Sequence, residues 1–313
     1  MTKQAKMRIG EGEFQYEVVD QWGQLPAGKA FGTTHGVVED AQGRIIVHHT
    51  GEESIYIFDK DGQFLDSWGS EYSPGAHGMT YVQEADGEYL YLAVTGQHMV
   101  VKTTLDGREV LRIVTPDLPE IYNEEKKFVP TETVVAANGD IYIADGYGQP
   151  WIHCYDKQGK YIKSFGGAGD ADGQLSNVHG ITIDLRSGEE RILVADRGHN
   201  RLQYFTMDGQ YISQVKGMLR CPCTAKVVGD LMYIPDLHSR VTILSKQDEV
   251  AAHLGDWDKA WEIQGWPNLP KSDWQVGKFS SPHDLHVDGE GNIYVAEWLS
   301  NGTGKMTKLC LVK

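Results

Sequence analysis

The chain of 313 residues is long enough to bury a sizeable core, as one large β domain or as two ordinary domains. Its 44 acidic against 29 basic residues give a formal charge of -15, which argues against a nucleic-acid backbone as partner and accommodates a cationic ligand or metal. Four cysteines, Cys154, Cys221, Cys223 and Cys310, do not make a disulfide framework and lack zinc-ribbon spacing. A reducing compartment is the expectation.

The basic first eight residues lack the apolar core and cleavage site of a signal peptide. No apolar run approaches the roughly 20 residues that span a bilayer, so a cytoplasmic protein without a membrane partner is expected. From there on, one phrase recurs: a short strand, an acidic-Gly turn, an aromatic and β-branched strand, a third strand, a second Asp-Gly turn, and a strand ending in Trp-Gly or Phe-Gly. The first copy opens at His35 and closes at Trp68-Gly69. The second opens at His77, with its second strand at 89–94. The third opens near 131, with Asn138-Gly139 and a strand at 141–145. The fourth opens at His179, the fifth near 222 and the sixth at His283.

A period of about 40 to 50 residues is that of propeller blades, and Asp-Gly and Asn-Gly between alternating strands are strong hairpin signals. The sixth copy stops one strand short. Residues 14–23 have the form of the outermost strands at 63–69 and 160–166, so an N-terminal strand is expected to complete the last blade and remove the open edge. The fold expected over residues 1–313 is a single all-β domain, a six-bladed β-propeller. Two long connections, 114–129 and 257–279, interrupt the period and cover one face. Trp257, Trp261, Trp266 and Trp274 in the second fit a packed lid or a ligand platform.

In a propeller the innermost strands start at the rim of the central channel. The blade-opening residues His35, His77, Glu132, His179, the Cys221-Pro222-Cys223 turn and His283 then form a ring. Alternate blades two, four and six bring His77, His179 and His283 to one point of the axis. Three imidazoles with an open fourth position suit catalytic zinc, and divalent iron or manganese is compatible. The other reading is that each histidine only hydrogen-bonds the next blade's backbone. Arg197 and Tyr147, at second-strand ends, face the same rim: Arg197 as a carboxylate clamp or an inter-blade brace, Tyr147 as a base if a nearby cation lowers its pKa. Asp284 binds a harder cation such as calcium or caps a turn. The Cys221-Pro222-Cys223 triplet reads as buried thiols.

At these residues the chain resembles NHL-repeat propellers and, among them, the peptidyl-α-hydroxyglycine α-amidating lyases. The resemblance lies in 130–134, in 141–147 ending Asp145-Gly146-Tyr147, in His179 onward through Ala195-Asp196-Arg197, in 201–205 and in Pro282-His283-Asp284-Leu285. With His77-Gly78 these cover blades two to four and six. The resemblance implies zinc on His77, His179 and His283, Tyr147 as base, and Arg197 as the matching arginine. It also implies a structural calcium at Asp284 and the Met79 carbonyl. A further substrate arginine of that family has no counterpart here, because Lys29 and Arg44 beside Thr34-His35-Gly36 carry no matching phrase. His35 is left as a further ligand or proton shuttle. The expected function is a metal-dependent lyase on a small hydroxylated or keto substrate. A metal-dependent hydrolase, isomerase or epimerase on sugars or lactones, and a non-catalytic binding scaffold, stay open.

Overall fold

In Ile45–His49 and Ile55–Phe58 every residue is buried, whereas Phe64–Trp68 is partly exposed throughout. A middle strand with both faces covered reads as a continuous apolar run, and an outer strand must present polar groups to water. This contrast repeats around the ring in the computed structural model, which describes residues 7–299 and 303–313.

Blade one comprises Thr34–Glu39, Ile45–His49, Ile55–Phe58 and Phe64–Trp68. Blade two is Ala76–Glu84, Gly87–Val94, Met99–Thr104 and Glu109–Val114, and blade three is Glu132–Val135, Ile141–Asp145, Trp151–Tyr155 and Tyr161–Gly166. Blade four is Val178–Asp184, Arg191–Asp196, Arg201–Phe205 and Tyr211–Lys216; blade five is Lys226–Val228, Leu231–Asp236, Arg240–Leu244 and Val250–Leu254. Blade six is Pro282–Val287, Ile293–Glu297 and Lys305–Leu311, and the expected N-terminal strand, Tyr16–Val19, completes it. Its register runs antiparallel from Tyr16 opposite Leu311 to Val19 opposite Lys308. The chain is thus an all-β six-bladed propeller. One detail lay outside the sequence pattern: Arg8–Ile9 adds a fifth strand beyond Tyr16–Val19. Two residues are too short for any periodicity to show.

The core lies between blades. Blades five and six meet through Val241, Ile243, Leu285 and Leu309, and blades six and one through Trp22, Val47, Tyr294 and Met306. Each fully buried side chain of this kind contributes roughly 1.5 to 3 kcal/mol. The recurrent acid at the end of the second strand is a latch. Asp196 Oδ1 accepts from the Ser176 amide at 2.7 Å, Asp236 Oδ1 from the Arg220 amide at 2.9 Å, and Glu297 Oε1 from the Ser280 amide at 2.7 Å. Each carboxylate ties down the loop that enters its blade, satisfying amides that would otherwise be buried without partners.

Both insertions pack. Ile121, Tyr122 and Phe128 are buried against blades two and three. In the tryptophan-rich segment, Trp266 donates to the Ser280 carbonyl at 2.9 Å and Trp274 to the Leu269 carbonyl at 3.0 Å. Trp261 stacks on His238 with ring centroids 5.0 Å apart. Among the described residues, no helix is long and apolar enough to cross a membrane.

Candidate metal centre and active site

The histidines reach the axis because the inner strands bulge there. In blade one the pairing jumps from Thr34 opposite His49 to Gly36 opposite His48, leaving His35 as the extra residue. The same shift singles out His179 between Val178 and Gly180, and His283 between Pro282 and Asp284. In blade two it falls between Ala76 and Met79, around His77 and Gly78. A bulge re-aims the side chain of its unpaired residue, here inward. Blade three carries no shift at this point, and Glu132 pairs directly with Ala144. Glu132 is therefore in register with Gly180 and Asp284, one step along the strand from the histidines. Its expected place in the histidine ring is corrected by the missing bulge.

Glycine follows three of these histidines for a steric reason. A Cβ on Gly78 would lie 2.4 Å from the Thr131 carbonyl oxygen, and one on Gly180 would lie 2.5 Å from that of Cys223. These are the carbonyls the histidines use: His77 Nδ1 donates to Thr131 O at 2.7 Å, His179 Nδ1 to Cys223 O at 2.9 Å, and His283 Nδ1 to His35 O at 3.0 Å. A carbonyl only accepts, so each Nδ1 carries the proton and each Nε2 keeps a lone pair. The two sequence readings are thus compatible in one residue: Nδ1 braces the next blade while Nε2 is left for a ligand. A ligating histidine is normally oriented by such a bond from its other nitrogen.

The rings crowd together. Centroids are 4.8 Å apart for His77 and His179, 4.5 Å for His179 and His283, 5.0 Å for His77 and His283, and 4.6 and 4.7 Å from His35 to His77 and His283. Ligand atoms of His35, His77 and His283 lie within 4.8 Å of one another, as do those of His179, Cys223 and His283, so His283 is shared while the expected partners His77 and His179 fall in different sets. Burial first, and then the neighbouring imidazoles and Arg197, hold His77 and His179 well below the ordinary histidine value. Burial and the neighbouring imidazoles do the same for His35, and burial with Arg197 brings His283 to about 3. All four are neutral near pH 7. Nε2 of His283 is buried without a hydrogen-bond partner. The neutral imidazoles of His77, His179 and His283, each in a tautomer fixed through Nδ1 and that of His283 with an unused buried lone pair, fit a divalent transition metal.

Tyr147 and Arg197 sit on this cluster. The Tyr147 hydroxyl is 3.1 Å from His77 Nε2 and 3.0 Å from His179 Nε2, and it accepts from Arg197 Nη2 at 3.3 Å. Arg197 also donates to Asn177 Oδ1 at 3.0 Å and lies 3.8 Å from Cys223 Sγ. Its contacts span blades three, four and five, so it braces and faces the site at once. The cation alone does not make Tyr147 a phenolate: burial raises its pKa by more than Arg197 lowers it. The hydroxyl is protonated at neutral pH, although the residue is 43% exposed and so open to an incoming molecule.

Asp284 does not fit the expected calcium. One of its carboxylate oxygens accepts from the Val37 amide at 3.0 Å and the other lies 3.1 Å from Lys226 Nζ. An ammonium already stands where a second cation would go. Burial pushes Glu132 up to about 8 and raises Asp284 as well, with Lys226 opposing both shifts. Against burial, Asp284 and Glu132 hold Lys226 above its ordinary value. Lys226 carried no sequence signal, because blade five lacks the blade-opening phrase. Lys226→Met is expected to lower stability by about 3 kcal/mol at pH 8, since it leaves buried carboxylates uncompensated. The loss should shrink toward pH 5 as the carboxyls take up protons; urea midpoints at the two pH values measure it.

Cys223 is the other residue the sequence undervalued. The reading of Cys223 as a buried thiol holds, and burial raises it to about 12. Yet its Sγ points to the histidines rather than into an apolar core. No disulfide joins it to Cys221.

Comparisons with known proteins agree with the architecture. The 6-bladed beta-propeller family DUF5128 matches residues 122–245. The chain is 22% identical to mouse peptidyl-glycine alpha-amidating monooxygenase over 95% of its own length, but spans only 32% of that protein. It is 27% identical to Drosophila melanogaster peptidyl-alpha-hydroxyglycine alpha-amidating lyase 1 over 75% of its length and 45% of the fly protein. Human NHL repeat-containing protein 3 is 28% identical over 85% of the chain and 77% of that protein. Among solved structures, a gluconolactonase from Xanthomonas campestris superposes with a TM-score of 0.67 at 10% identity, covering 99% of this chain and 96% of that one. Streptogramin B lyase does so at 0.64 and 12%, covering 97% and 100%. The relatives in sequence thus include propeller enzymes, and the structural neighbours share the fold.

Proposed function

We propose that this chain is a metal-dependent lyase acting at the histidine end of its central channel, with a peptidyl-α-hydroxyglycine or a similar small hydroxylated compound as substrate. The observation that carries this reading is the set of buried, neutral imidazoles of His77, His179 and His283, each fixed through Nδ1 and each with Nε2 turned toward a shared hydroxyl or left unpartnered. His77, His179 and His283 would hold the ion, with His35 packed beside them. A divalent ion bound there supplies Lewis-acid polarisation of a substrate oxygen.

The chain's own groups do the rest. In cleavage of a hydroxyglycine, the hydroxyl O–H pair becomes the new C=O bond, the C–N bond breaks, and the departing amide nitrogen takes a proton. Tyr147, between two imidazoles and a guanidinium, is placed to move that proton. Arg197 presents a guanidinium to the substrate's carboxylate, while Asn177 holds its orientation. The similarity to amidating lyases supports the same reading.

The test is elemental analysis of protein purified without added metal, alongside His179→Ala, with turnover of a hydroxyglycine peptide read as glyoxylate and compared with a lactone panel. One transition-metal ion per chain, lost in His179→Ala with the fold retained, together with glyoxylate release, is expected. Unchanged metal content in His179→Ala overturns the metal site, and turnover of lactones alone overturns the lyase assignment.

A further inference from the structure

We infer that Cys223 is a thiolate ligand of the metal, so that this chain binds its ion in a mixed imidazole and sulfur shell rather than by imidazoles alone. This rests on the metal reading above and sharpens it. Two independent features lead here. Ligand atoms of Cys223, His179 and His283 lie within 4.8 Å of one another, and all three residues are buried. Nε2 of His283 has no hydrogen-bond partner, so a buried lone pair at this cluster is left without an occupant. That is costly unless a ligand takes it.

The backbone of Cys223 is held in place for the role. Its carbonyl accepts from His179 Nδ1 at 2.9 Å, and its amide donates to Pro235 O at 3.0 Å. Metal–sulfur and metal–nitrogen bonds of about 2.3 and 2.1 Å place donor atoms roughly 3.5 Å apart, so the set closes by about an ångström on binding. The thiol gives up its proton to solvent as the sulfur–metal bond forms, and the nearby Arg197 Nη1, 3.8 Å away, offsets the new negative charge. A thiolate selects soft or borderline ions such as zinc and cobalt over calcium, magnesium or manganese. His283 also belongs to the competing set with His35 and His77, and its one free nitrogen serves only one ion at a time. Cys223 joins two of the three proposed imidazole ligands, His179 and His283, whereas the set with His35 leaves His179 out, so a bound sulfur marks this shell.

Cobalt(II) distinguishes them. The full-length protein, stripped of metal and loaded with one equivalent of cobalt, is expected to show visible ligand-field bands together with a near-ultraviolet thiolate-to-cobalt charge-transfer band. Cys223→Ser should lose the charge-transfer band and keep the ligand-field bands, while Cys221→Ser keeps both; Cys223→Ala serves if serine is poorly tolerated. Ligand-field bands without charge transfer in the unaltered protein would place the ion on the imidazoles alone and overturn the inference while leaving the metal reading intact. Charge transfer surviving in Cys223→Ser overturns it too. Absence of any cobalt spectrum overturns both readings.

Discussion

Tyr147→Phe is expected to reduce turnover by about two to four orders of magnitude while leaving the bound metal unchanged. The substitution removes one oxygen and keeps the ring, which packs edge-on against His77 at 5.0 Å and His179 at 5.6 Å. The imidazoles keep their carbonyl partners on the opposite side, so their tautomers and spacing persist. What disappears is, among the described residues, the one hydroxyl that touches both Nε2 atoms and the Arg197 guanidinium. Turnover and metal content measured on the same preparation separate a lost proton carrier from a damaged site. Turnover within a few-fold of the unaltered protein would move the proton transfer to another group, with His35 the next in line.

The second large effect is on stability. Metal-free protein is expected to be most stable near pH 6.5 and to lose about 2 kcal/mol or more between pH 6 and 5. The ring histidines have folded pKa values pulled down by burial, to about 3 for His283. An unfolded histidine titrates near 6.5, so below that pH the unfolded chain binds more protons than the folded one and stability falls with pH. Each such group contributes up to about 1.4 kcal/mol per pH unit, and two acting independently suffice for the stated loss. His48 and His49, brought by burial to about 4 and 3, act in the same direction. Glu132 has the opposite sign. Its folded pKa of about 8 lies above the unfolded carboxyl value, so its contribution is present at low pH and is lost as pH rises toward 8. The histidines outnumber it below 6.5, and it acts without them above. Thermal midpoints from pH 4.5 to 8.5 trace the curve, and a flat profile between pH 5 and 6.5 would mean that the ring accepts protons without cost. Bound metal should deepen the acid loss, because protons and metal compete for the same nitrogens.

Ring membership was readable because it depends on a repeat. His35, His77, His179 and His283 open equivalent strands, and sequence periodicity is enough to align them. The layer below was not readable. Glu132 follows a phrase like those of the histidines, but without a bulge its side chain belongs with Asp284, and a missing residue in a pairing register leaves no mark on composition. Lys226 and Cys223 come from the blade that departs most from the repeat. Their neighbours are across the axis rather than along the chain, which is why the sequence suggested calcium where an ammonium sits. The aspartates of the Ala-Asp phrases, Asp145 and Asp196, are visible as a motif, while their work in holding loop amides is apparent only from the hydrogen bonds.

The closure of blade six by Tyr16–Val19 against Lys305–Leu311 also fixes the order of events during synthesis. Tyr16–Val19 is synthesised well before Lys305–Leu311, so it has no partner until blade six has been made. Pairings between such distant segments form late. His283 meets the His35 carbonyl only when blade six docks on blade one, so the nascent chain has no finished set of donors to offer a passing ion. Under the metal reading proposed above, an ion would be retained only by a chain whose circle has closed.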